Sequence, residues 1–264
     1  MKRFIATLIT TLLVAGVVIY FSQGPLIFPA PDVDVSDSQD GDFERAAIPT
    51  ADGEVLFALH HPSENDEATI IVFHGNADAA IYQKTKGREL INAGFGVLLA
   101  EYRGYPGSTG TPSESGLYED GRAAYDFLIE QRQQPIGIYA HSLGTGVAVN
   151  LATEREVFAL VLESPFDSMQ AVVQRHYPWL PVGLLLKHKF RSDLKIENAV
   201  SPVLIIHGDA DQVIPIEHAK RLRSLAGSDA VFLEVENAGH NNLLNFQTTG
   251  PAIYFLHQAL NDTQ

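Results

Sequence analysis

The chain has 264 residues, 45% of them hydrophobic and 19% charged, with a formal net charge of -14 and no cysteine. That composition is globular and argues against disorder outside the Asp- and Ser-containing stretch 31–42, while the missing cysteine excludes disulfides, a thiol nucleophile and Cys-based metal sites. The acid excess, with no Lys/Arg cluster to neutralise phosphates, excludes nucleic acid as a partner.

Lys2 and Arg3 precede an uncharged apolar run over residues 4–21, close to the roughly 17 to 25 residues that a spanning helix needs. A membrane anchor is therefore predicted for residues 1–24. The basic start also suits a cleaved signal peptide. Against it, Val17, Val18, Ile19, Tyr20 and Phe21 leave no small-x-small site at the end of the run, and Pro25 follows the nearest candidate, Ser22-Gln23-Gly24. Tyr20 and Phe21 fit the aromatic belt at a membrane interface, and cations before the run with acids after it predict a cytoplasmic N-terminus and a globular part on the periplasmic or extracytoplasmic side. Residues 25–42 read as a linker, with a polar tether over 31–42, and 43–264 as one domain of about 220 residues, too short to hold a second.

Within the domain, strands are predicted at 55–60, 69–73, 96–101, 136–139, 159–163, 203–207 and 231–235, and helices at 79–93, 113–131, 143–153, 216–225 and 242–260. Such alternation is the signature of a mostly parallel, doubly wound α/β sheet with helices on both faces. Ile70-Ile71-Val72-Phe73 and Val203-Leu204-Ile205-Ile206 are continuous apolar runs, as strands buried on both faces should be. Residues 167–198 break the alternation with Tyr177-Pro178-Trp179-Leu180-Pro181 and Leu184-Leu185-Leu186, which predicts a small helical cap. Three roles are open to its apolar residues: lining an acyl pocket, touching a bilayer, or packing on the sheet.

The predicted strand at 136–139 leads straight into Ala140-His141-Ser142-Leu143-Gly144 and then a helix start rich in small residues. Small residues two positions either side of Ser142 permit a sharp strand-turn-helix elbow that exposes the hydroxyl. A serine hydroxyl is a poor nucleophile until a base takes its proton and a carboxylate holds that base in the right tautomer. On such a sheet both come later in the chain, acid before base, in loops leaving the same edge. His240, in Asn237-Ala238-Gly239-His240-Asn241, is the candidate base among ten histidines. Two acids compete in Gly208-Asp209-Ala210-Asp211. Asp211 is preferred because Pro215, four residues on, can open the next helix and leaves Asp211 at the loop's turning point; Asp209 is the rival, with Glu163 and Asp167 behind it. Backbone N–H donors for an oxyanion are expected from Leu143, which follows the serine, and from Asn76 in His74-Gly75-Asn76-Ala77. This chemistry requires no cofactor and no metal.

Four blocks, Phe73-His74-Gly75-Asn76-Ala77, Tyr102-Arg103-Gly104-Tyr105-Pro106-Gly107-Ser108, Ala140-His141-Ser142-Leu143-Gly144, and His207-Gly208-Asp209-Ala210-Asp211 with Gly239-His240, carry a resemblance to a known superfamily. The chain resembles the α/β-hydrolases, and more closely their membrane-anchored, bud-emergence-type and serine-aminopeptidase-like branch. The resemblance implies an α/β-hydrolase fold, the triad Ser142, Asp211 and His240, oxyanion donors at Asn76 and Leu143, and an anchor ahead of the domain. Ala140 departs from the pattern, which has Gly there. The Tyr-Arg-Gly-Tyr block looks like a structural loop near the active-site mouth, with Arg103 either packing on that loop or reaching an anionic leaving group. The expected activity is cleavage of a carboxylic ester or thioester through an acyl-enzyme, on a small-molecule or lipid-like acyl substrate. A serine peptidase and a catalytically inactive, membrane-anchored binding module are the alternatives.

Overall fold

The computed structural model describes residues 2–63, 68–132 and 135–262. Its strands are β1 (Glu44–Pro49), β2 (Val55–His61), β3 (Thr69–Phe73), β4 (Gly96–Ala100), β5 (Ile136–His141), β6 (Leu160–Glu163), β7 (Val203–Gly208) and β8 (Val231–Val235). They form one sheet in the order β1-β2-β4-β3-β5-β6-β7-β8. β1 and β2, and β2 and β4, pair antiparallel; from β4 to β8 all pairing is parallel. β3 and β4 are buried at every position, as their unbroken apolar runs require.

The helices are α1 (Lys2–Ser22), α2 (Gly24–Ile27), α3 (Lys84–Asn92), α4 (Glu114–Glu130), α5 (Leu143–Ala152), α6 (Met169–His176), α7 (Val182–Leu185), α8 (Ile216–Leu225) and α9 (Thr249–Asp262). Leu117 and Leu128 of α4, Val147 and Leu151 of α5 and Leu222 of α8 pack on one face of the sheet. Leu90 of α3 and Leu256 of α9 pack on the other. The doubly wound arrangement expected from alternation is the one observed.

Three elements differ from their prediction. β1 was not legible, because on this edge strand only Ile48 is buried and an Arg and a Pro stand where a central strand would carry apolar residues. The helix expected at 79–93 opens with a 3-10 turn, Ala80–Gln83, before α3. The helix expected at 242–260 is a 3-10 turn, Leu243–Phe246, and α9, separated by Gln247 at φ 57°. That left-handed residue ends the first turn, and the Thr248 hydroxyl caps the break by bonding to Leu243 O at 3.1 Å.

The apolar N-terminal run forms α1. Among the described residues no helix is long and apolar enough to cross a membrane, so the anchor expected at 1–24 rests on the sequence alone. The stretch expected as a linker is laid along the domain: Ile27, Phe28, Val35 and Ser38 are buried. The Phe28 ring meets His188 and Phe190 edge-on at 5.1 and 6.1 Å. Asp40 pairs with Lys84 at 2.7 Å and with Arg88 at 2.8 Å, and Lys84 also donates to Ser38 O.

Residues 167–198 form α6, α7 and the two 3-10 turns Ser192–Leu194 and Ile196–Asn198. Val182, Leu186 and Phe190 pack into the core, while Tyr177, Trp179 and Leu184 face solvent.

Candidate active site

β5 passes directly into α5 through Ser142, whose backbone sits at φ 49°, ψ -115°. A non-glycine residue there is strained, and the strain is held by bonds on both sides. Ser142 N donates to Glu163 O at 3.0 Å, and the Thr145 hydroxyl donates to Ser142 O at 2.6 Å. Gly144 makes the elbow possible, since a Cβ there would lie 2.6 Å from Phe73 O and 2.7 Å from His74 O. The loop after β3 runs against the elbow, where a Cβ on Gly75 would stand 3.3 Å from Ser142 Cβ.

Ser142 Oγ lies 2.9 Å from His240 Nε2, and His240 Nδ1 lies 2.7 Å from Asp211 Oδ2. Asp211 divides its oxygens: Oδ1 accepts from the N–H groups of Val213 and Ile214, both at 2.8 Å, and leaves Oδ2 to the histidine. Burial alone would raise its pKa, but hydrogen bonds from His207 and His240 outweigh it and hold the carboxyl well below the usual carboxylate range. An ionised Asp211 fixes the imidazole proton on Nδ1 and leaves the Nε2 lone pair facing the Ser142 hydroxyl.

The other candidate acids bond elsewhere. Asp209 Oδ1 accepts from Asn237 N at 2.7 Å and so braces the loop that carries His240. Glu163 receives Lys86 Nζ and the Tyr139 hydroxyl, each at 2.6 Å. Asp167 meets His218 Nδ1 at 2.8 Å and Arg221 at 3.2 Å.

A cavity of about 450 Å³ opens at Ser142, with Asn76, Lys86, His141, Glu163 and His240 on its walls. Asn76 therefore stands beside the serine. Leu143 opens α5, so its N–H is one of the donors that a helix N-terminus leaves unpaired. No residue of 167–198 lines this cavity, so of the three roles open to the cap the acyl-pocket lining is not the one observed. The cap's inward apolar side chains are consumed by packing. Arg103 is turned away as well, bonded to Asp120 at 2.8 Å and to Asp52 at 2.6 and 3.0 Å.

Four further side chains act on the site without having been singled out by sequence. His207 Nε2 lies 2.8 Å from Ile214 O and 3.3 Å from Asp211 Oδ2, fully buried and with no partner at Nδ1. His141 Nε2 lies 3.1 Å from His240 O, and burial pushes its pKa down to about 4, so the neutral ring donates to that carbonyl. His74 Nε2 meets Glu101 Oε1 at 2.5 Å with both side chains wholly buried. Burial opposes charge on His74, yet the Glu101 carboxylate overcomes it and raises its pKa. Glu101 Oε2 also accepts from Ala80 N at 3.0 Å, and Tyr102 Oη donates to His74 O at 2.8 Å, so the pair staples both ends of the loop carrying Asn76. The available signal was position: His141 adjoins the serine, and His74, Glu101 and His207 each stand at or just past the end of a strand. Among the described residues no group of three or more His, Cys, Asp or Glu could hold a metal ion.

Residues 64–201 match a family model described as serine aminopeptidase, S33. An uncharacterized protein of Mycobacterium tuberculosis is 38% identical over 200 residues, covering 74% of this chain and 71% of that protein. The lysophosphatidylserine lipase ABHD12 of Macaca fascicularis is 33% identical over 183 residues; the match covers 61% of this chain and 46% of the lipase, so the chain spans about half the lipase's length. The Pyrococcus furiosus esterase Pf2001 shares the fold with a TM-score of 0.71 at 17% identity, over 87% of this chain and 96% of that one. By its sheet order, its elbow and a family match across more than half of its length, the chain belongs to the serine-aminopeptidase (S33) family of the α/β-hydrolase superfamily.

Proposed function

We propose that the chain is a serine hydrolase that cleaves carboxylic esters of lipid-like acyl groups through an acyl-enzyme. The observation that carries this reading is the continuous hydrogen-bonded line from Asp211 through His240 to a strained Ser142 on the wall of the cavity. His240 Nε2 takes the hydroxyl proton as Ser142 Oγ bonds to the carbonyl carbon, and the resulting oxyanion is met by the N–H groups of Leu143 and Asn76. His240 then passes the proton to the leaving alcohol, and water repeats the sequence to release the acid. Asp211 stays ionised throughout and stabilises the imidazolium. A thioester reacts by the same steps.

Support for a lipid-like substrate comes from the lysophosphatidylserine lipase relative and from the apolar residues of α1 and the cap. In the same reading α1 anchors the chain in a membrane with the N-terminus in the cytoplasm and residues 43–264 on the extracytoplasmic side. A serine peptidase is the second reading, favoured by the description of the matched family. Labelling by a fluorophosphonate probe, lost in Ser142→Ala, is expected; a folded wild type that stays unlabelled leaves only an inactive binding module. Turnover of p-nitrophenyl esters of increasing chain length, with none of aminoacyl p-nitroanilides, is expected from the esterase, and the reverse pattern from the peptidase.

A further inference from the structure

Tyr177, Trp179 and Leu184, at the outer tip of the cap, are 52%, 77% and 84% exposed, while Val182, Leu186, Phe190 and Ile196 of the same segment are buried and Leu194, further along the chain, is 58% exposed. Large apolar side chains gathered on one projecting tip mark an interaction surface. Phe21 at the end of α1 and Leu26 in α2 are 80% and 78% exposed. The two sets are fastened together by Gln23, itself 6% exposed. Its Nε2 donates to Tyr20 O at 2.8 Å and to Leu185 O at 3.1 Å, and its Oε1 accepts from Lys187 N at 2.7 Å. A Cβ on Gly16 would lie 3.5 Å from Leu185, so α7 packs beside α1 about 9 Å before its end, at a rise of about 1.5 Å per residue.

Charge singles out the same segment. In a chain with a net charge of -14, residues 169–198 hold Arg175, Lys187, Lys189, Arg191 and Lys195 against Asp193 and Glu197. Arg175 and Lys187 are exposed next to the apolar tip. Trp, Tyr and Leu rimmed by Lys and Arg are the residue set favoured at the boundary between lipid headgroups and acyl chains. The tip also adjoins the active-site mouth, because His176 Nε2 lies 3.0 Å from Val213 O and Val213 lines the Ser142 cavity.

The structure assigns the cap tip as a bilayer-docking surface: Tyr177, Trp179 and Leu184 enter the headgroup boundary of a phospholipid membrane, with Arg175 and Lys187 against its phosphates. The assignment rests on the proposed reading of α1 as an anchor. With no slack between α1 and α7, a membrane-embedded α1 carries the tip to the lipid surface and holds the mouth of the cavity towards its substrate. The bonds from Gln23 to Leu185 O and Lys187 N occupy two peptide groups that would otherwise be left unpaired at that depth.

Trp179 is the only tryptophan in the chain, so fluorescence excited at the red edge of the tryptophan band, where the tyrosines do not absorb, reads this tip alone. The full chain is reconstituted into phosphatidylcholine vesicles with and without bromine near the head of the acyl chain. A blue-shifted emission and about two-fold or greater quenching by the brominated lipid are expected for a side chain at the interface. A vesicle-bound chain whose emission stays water-like and unquenched overturns the assignment, and so does a chain that fails to float with vesicles. In Leu184→Asp, turnover of p-nitrophenyl acetate is expected to be unchanged and turnover of a lysolipid ester presented in vesicles to fall about ten-fold; equal loss on both substrates, or on neither, overturns it. Quenched Trp179 with no turnover of either substrate by the wild type supports the surface while refuting the hydrolase reading.

Discussion

At the scale of single residues, the site depends on how one carboxylate divides its work. Asp211 Oδ1 holds the turn through Val213 and Ile214 while Oδ2 holds His240. In Asp211→Asn the amide oxygen can keep one of these jobs but not both, and an NH2 facing His240 favours the wrong tautomer. A fall in kcat of about 10⁴ is expected with little change in melting temperature, measured on a p-nitrophenyl ester. Gly144→Ala acts on the fold instead, because its methyl meets the Phe73 and His74 carbonyls at 2.6 and 2.7 Å; a loss of about 1–3 kcal/mol in urea unfolding is expected. A third residue carries a pH dependence. Burial, with a smaller contribution from the neighbouring His61, lowers the His60 pKa from 6.5 to about 4, and its Nε2 has no partner. Between these values the unfolded chain binds a proton that the folded chain refuses, so the stability this residue contributes above pH 6.5 is lost as pH falls towards 4. His60→Phe, which keeps a ring against Phe127, should flatten stability against pH in that window; parallel curves for variant and wild type count against the assignment.

At the scale of elements, α3 and β6 are joined beneath the elbow by Lys86 and Glu163, 2.6 Å apart and both nearly buried. Lys86 Nζ also lies 4.3 Å from the centre of the Tyr139 ring. Burial opposes charge on Glu163, and the Lys86 ammonium prevails, lowering its pKa. Lys86→Met leaves that carboxylate without its cation and should cost about 3–5 kcal/mol, with most of it regained in Lys86→Met/Glu163→Gln, as read by denaturant unfolding. In the sequence Lys86 reads as a solvated position on an amphipathic helix, because nothing local announces a glutamate 77 residues away. The break at Gln247 was illegible for a related reason. Its left-handed turn is held from outside by Thr248, whose hydroxyl reaches both Leu243 O and Glu163.

At the scale of the whole molecule, the stretch 27–40 is fastened to the domain. Phe28 is buried against Phe190, and Asp40 is tied to α3. A membrane-anchored chain built this way should remain in the membrane fraction after a carbonate wash and leave it only with detergent; recovery in the soluble fraction refutes the proposed anchor.

The sequence by itself determined the parallel sheet, the elbow at Ser142 and the Asp-before-His order. These rest on local signals: continuous apolar runs, small residues at a turn, and loops that follow strands. The sequence preferred Asp211 to Asp209, and the fold is what brings Asp211 to His240 and turns Asp209 to Asn237; tertiary structure alone decided that the cap turns its aromatic tip outward and that Lys86, His74 and His207 back the site. Ser142 is 98 residues from His240, and Asp211 is 29. Contacts over such separations are chosen by how the strands order themselves in the sheet and how far each loop reaches across its edge, and no short stretch of sequence contains that choice.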